Sequence, residues 1–99
     1  MSFDAHVRRA LDSLPPEIAR RLENVAVVVE DEHADDPDLF GLFQEEPYLP
    51  AKITIYRLPL EDSFPDPREL EREIRITVLH ELAHYFGVDE ERLEELGYD

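Results

Sequence analysis

Three observations place this chain in the α+β class, with a small sheet of about three strands, one long helix and shorter flanking helices. Val25 to Val29 is a continuous, β-branched apolar run. Ala51 to Arg57 alternates apolar and polar side chains. A helix-start signal at Asp66 leads into a long apolar-rich segment ending at Phe86. With 99 residues the expectation is one domain over 1–99, near the lower size at which a single hydrophobic core folds unaided.

In chain order, Phe3, Val7, Ala10, Leu11 and Leu14 form a helical stripe behind Ser2, which suits an N-cap. Pro15-Pro16 ends that helix, and Pro16 suits the first position of a short helix over 17–23. The Val25–Val29 run does not alternate, so it predicts a strand covered on both faces. Residues 30–38 are acidic, contain Pro37 and predict a solvated loop. Leu39 to Phe43 predicts a short edge strand, and Gln44 to Pro50 a loop. In the next strand Ala51, Ile53 and Ile55 face one way and Lys52, Thr54 and Tyr56 the other, predicting one buried face. Leu58 to Pro65 predicts a proline-containing connection.

Asp66-Pro67-Arg68-Glu69 combines an N-cap residue, a first-turn proline and a glutamate at the third position. The helix it opens stops at Gly87, suited to a left-handed C′ residue. From Ile76 onward it is apolar nearly all round, which predicts a buried helix with His80, Glu81 and His84 in the core. Asp89 predicts the start of a last short helix through Leu96.

Composition narrows the function. Hydrophobic residues make up 42% of the chain and charged residues 35%, the balance of a globular rather than a disordered protein. There is no cysteine, so any metal must be held by histidine and carboxylate. No apolar run approaches the ~20 residues of a membrane span and no signal-peptide core is present, so the expected compartment is the cytoplasm. The net charge of −15 argues against nucleic acid and anionic membrane as partners and favours basic peptides or proteins, the plain alternative being solubility. Many arginines stand at salt-bridge spacing from glutamate, Arg75 from Glu71 for example, where exposed pairs add about 0.3–0.5 kcal/mol each.

The chemistry lies in His80-Glu81-Leu82-Ala83-His84-Tyr85-Phe86-Gly87. Two histidines four apart on a helix project from one face and can share one Zn²⁺. Glu81 points about 100° around the helix, where its carboxylate reaches a metal-bound water without becoming a ligand. Buried polar groups need partners, and a metal with its water would supply them for all three. Gly87 allows a turn that returns a third ligand. Glu90, ten positions after His80, is the favoured candidate and Asp89 the alternative, Asp89 also suiting the N-cap of the last helix. His6 and His33 are expected at the surface rather than as ligands. Tyr56, Tyr85 and Tyr98 could each donate to a tetrahedral intermediate, with Tyr85 expected in core packing.

The chain resembles the minimal matrix-metalloproteinase-like zincins, small bacterial single-domain proteins. The resemblance rests on Leu14-Pro15, on Asn24 to Glu32, on Ile53-Thr54-Ile55-Tyr56-Arg57, on Val78 to Gly87 and on the tail Glu91 to Tyr98. It implies a compact fold in which a small twisted sheet packs on the active-site helix. It also implies zinc on His80 and His84, Glu81 as general base and an acidic third ligand after the glycine. The chain departs from full-size metzincins in having no methionine besides Met1, hence no Met-turn, and an acid in place of the third histidine.

The function expected is that of a zinc-dependent metallopeptidase. Its substrate would be a short or flexible, possibly basic, peptide lying along an edge strand. The alternatives are a non-catalytic zinc module serving stability or partner binding, and an acidic interaction protein with a vestigial site.

Overall fold

The computed structural model describes residues 1–86 together with Glu91 and Glu95. In chain order, α1 (Phe3–Asp12) and α2 (Pro16–Arg21) lead through a 3₁₀ turn (Leu22–Asn24) into β1 (Val25–Glu30). Then come β2 (Gly41–Gln44), β3 (Ala51–Tyr56), α3 (Arg57–Ser63) and α4 (Pro67–Phe86). This is the α+β arrangement the sequence predicts. The expected last helix over 89–96 lies outside the described residues, apart from Glu91 and Glu95, as does the stop at Gly87.

Local chemistry sets the helix starts. The Ser2 side chain accepts from the Ala5 amide at 3.2 Å, and Asp66 Oδ2 accepts from the Glu69 amide at 3.4 Å. Pro16 opens α2, where its missing N–H costs nothing.

The strand order is β1-β3-β2, so the last strand in sequence is the central one. β1 runs parallel to β3 with Val27 opposite Ile53, and β2 runs antiparallel with Phe43 opposite Ile53. One face therefore carries Val25, Val27, Val29, Ala51, Ile53, Ile55, Gly41 and Phe43. α4 covers that face, and α1 packs on α4. Ile53, Ile55, Leu60, Ile74 and Val78 are fully buried where these layers meet, each contributing about 1.5–3 kcal/mol.

Three expectations change. β1 is half-exposed rather than covered on both faces, because it is an edge strand. β3 is buried on both faces at Ile53, Thr54, Ile55 and Tyr56, because a strand flanks it on each side. The predicted connection from Leu58 is largely helical, as α3 holds Pro59 in its first turn, where proline is tolerated. The Glu71–Arg75 pairing does not form either. Glu71 instead accepts from Arg9 Nε at 2.7 Å and lies 3.3 Å from His6 Nδ1, while Arg75 donates to Ser13 Oγ at 3.2 Å. No helix among the described residues is long and apolar enough to cross a membrane.

Candidate active site

The sides of α4 differ in what they meet. Leu70, Ile74, Val78, Leu79, Leu82 and Ala83 are buried against the sheet and α1. Thr77 and Glu81, one turn apart, run beside β2. A Cβ built on Gly41 would stand 2.5 Å from Thr77 Cγ2 and 3.9 Å from Glu81 Cγ. Glycine thus lets the β2 backbone come directly against the Thr77 and Glu81 side chains. One position further round the helix, Arg72, Ile76, His80 and His84 form the solvent row, with both histidines exposed.

That placement corrects the expectation of a buried polar trio. Only Glu81 is partly sheltered, its side chain 20% exposed against 81% for His84. Among the described elements, the sheet, α1 and α3 pack on part of α4, and His80 and His84 on its outer row stay exposed. His84 Nδ1 stands 3.6 Å from Glu81 Oε2, an electrostatic contact rather than a short hydrogen bond. Burial pushes the Glu81 carboxyl above its usual range, while His84 and then His80 pull it back.

Asp89 and Glu90 lie outside the described residues, and among those described no group of three His, Asp or Glu side chains is placed to hold a metal. His80 and His84 still fit one by donor type. They are two exposed imidazoles one turn apart on a single helix row, with a half-buried carboxylate beside them.

The flanking aromatics tie this end of α4 to the edge strand. Tyr85 stacks on Phe43 with ring centroids 4.4 Å apart, and its hydroxyl, held by Glu45, is pushed above its ordinary pKa. Tyr85 is therefore a half-exposed strap rather than core packing. A cavity of about 420 Å³ opens beyond it, lined by Arg20, Val25, Glu45, Leu49 and Ala51 among others. Tyr56 is buried, and burial followed by the nearby Glu30 charge raises its pKa. Tyr98 lies outside the described residues. His6 is buried against Glu71 rather than at the surface. His33 is half-buried, accepting from the Asp35 and Asp36 amides and meeting Tyr56 edge-on.

The family model for zincin-like metallopeptidases matches residues 22–98. The chain belongs to the zincin-like metallopeptidase family. No curated protein matches it. The stretch that matches holds all three strands and α4, and leaves α1 and α2 outside. Within this zincin-like domain, Gly41 is the position that motif reading passed over. Its signal was available, since an isolated glycine in a short strand marks a close backbone approach.

Proposed function

We propose that this zincin-like domain is a zinc-dependent metallopeptidase that hydrolyses peptide bonds in a short or flexible, basic segment. The observation that carries the proposal is the position of Glu81, a half-buried carboxylate between an edge strand and two solvent-facing imidazoles. In this reading His80 and His84 hold the metal, and Glu90, or Asp89 in its place, completes the ligand set. Bound Zn²⁺ would supply Lewis acidity to the scissile carbonyl and to the attacking water.

Glu81 then acts as general base, taking a proton from the attacking water and handing it to the leaving amine. Its raised pKa suits that task, because a base that has lost hydration binds a proton more readily and still releases it. The substrate lies extended along β2, an edge strand that meets Glu81 at Gly41 and whose outer side no other backbone pairs with among the described residues. The charge of −15 favours a basic segment there.

The openness of His84 supports a second reading, a zinc module without turnover whose metal serves stability. Metal content per chain, measured for wild type and His80→Ala, tests the site common to both readings. A peptide-library digest of wild type beside Glu81→Gln then separates them. The peptidase reading expects one zinc in wild type and in Glu81→Gln, none in His80→Ala, and cleavage by wild type alone. Equal cleavage by Glu81→Gln would sink the mechanism, and no cleavage by either protein loaded with zinc would leave the second reading.

A further inference from the structure

The sheet has a second edge that the proposed chemistry does not use. β1 is bonded to β3 along one side, and among the described residues no other backbone pairs with its outer side. Its sequence, Val-Ala-Val-Val-Val-Glu, carries no proline or lysine, the residues with which proteins commonly blunt an edge. Parallel strands are normally covered, so a half-exposed parallel edge of six residues is an open template.

What surrounds this edge indicates what it takes. At the start of β1 a cavity of about 500 Å³ is lined by Glu23, Asn24, Val25, Ala26 and Pro50. Its lining combines apolar surface with one carboxylate, which matches the aliphatic stem and cationic head of Lys or Arg. At the other end Glu30 and Glu32 are exposed. A second copy of this chain fits poorly, since pairing β1 with itself would bring together two acidic rims on molecules of net charge −15.

We propose that the outer edge of β1 binds an extended basic peptide segment by strand addition, seating a Lys or Arg side chain in the cavity beside Glu23. Backbone ladder bonds would give affinity, and the cavity would select the side chain. The site lies across β3 from the β2 edge and does not depend on zinc or turnover.

The test uses the full chain and a capped octapeptide alternating valine and lysine, followed by amide NMR shifts and calorimetry. A second peptide of the same sequence, N-methylated at alternate residues, keeps the charge and loses ladder donors. The expected result is saturable binding with shifts confined to residues 23–30 and 50–51, and none with the methylated peptide. Glu23→Gln and Ala26→Lys, both at exposed positions, should each weaken binding about fivefold or more, while the distant control Glu69→Gln changes it little. Shifts at 41–44 and 77–85 instead would place the peptide in the β2 cleft and overturn the proposal. Equal binding of the methylated peptide, equal weakening by Glu69→Gln, or no saturable binding would overturn it too. So would a wild-type dimer in sedimentation that Ala26→Lys dissolves.

Discussion

At the scale of single residues, the two most informative carboxylates of α4 differ in what surrounds them. Glu81 is sheltered by β2 with only loosely placed histidines nearby, so burial dominates and its pKa rises. Glu71 is gripped by Arg9, whose hydrogen bond outweighs burial with help from His6, so its pKa falls. On the proposed mechanism, replacing Glu81 with glutamine should lower peptide turnover by about 10²–10⁴-fold, the usual contribution of a positioned general base, and leave zinc content as in wild type. For Glu71 the consequence is stability. A depressed folded-state pKa adds stability that is present above the ordinary glutamate value and lost as pH falls through the folded-state value. Glu71→Gln should therefore melt below wild type at pH 7, and the gap should narrow as pH falls below the ordinary glutamate value and close once it passes the lowered folded-state value, where wild type is itself protonated. Thermal melts from pH 7 to 3 measure this, and a gap that persists in acid would mean lost packing rather than lost charge. The identity of the motif residues was legible in the sequence; their exposure was not. Apolar neighbours on every side of a helix imply burial only where other elements pack on every side, and here His80 and His84 are exposed on a side that no described element covers. His6 erred the other way, since its burial depends on Glu71, 65 positions away.

At the scale of elements, the contact between β2 and α4 sets how near the edge strand comes to the proposed base. That approach depends on Gly41, because a methyl group there would stand 2.5 Å from Thr77 Cγ2. The Thr77 hydroxyl donates to the Glu73 carbonyl at 2.8 Å, which holds the methyl in place. Gly41→Ala should consequently destabilise the domain by about 1–3 kcal/mol through overpacking. Adding Thr77→Ser, which removes the offending methyl and keeps the hydroxyl, should restore much of the loss. Urea melts of the two single variants and the double variant test this, and additive effects would show that the crowding is not between these two groups. Elements with strong local signals were legible, including α1 behind Ser2, α2 behind Pro16, the β3 alternation and α4 behind Asp66. α3 was not, because Pro59 reads as a break unless the helix start is known to lie two residues earlier. Strand order was hidden for a different reason. A β-branched run looks the same at a sheet's edge as at its centre, and only pairing assigns the centre to β3 and the edge to β1.

At the scale of the whole molecule, a small core and a large negative charge make the domain a candidate for stabilisation by a bound cation. The buried set draws on α1, α2, β3, α3 and α4 and includes neither His80 nor His84, so metal-free folding does not rest on the exposed imidazoles themselves. Binding of the proposed zinc would therefore be separable from folding, unlike in small domains whose metal nucleates the core. A ligand that binds only the folded state adds RT ln(1 + [L]/Kd), about 2.7 kcal/mol at a hundredfold excess over Kd. Wild type should melt at a higher temperature with zinc than with chelator, and the increment should grow with the logarithm of free zinc. His80→Ala should lose the increment and keep the chelated melting temperature of wild type, because truncating an exposed side chain leaves no cavity. Calorimetry of both proteins with and without zinc measures all four states. A metal-free His80→Ala that melts far lower would make this imidazole part of the fold, whereas a zinc-dependent rise surviving in the variant would place the metal on other ligands.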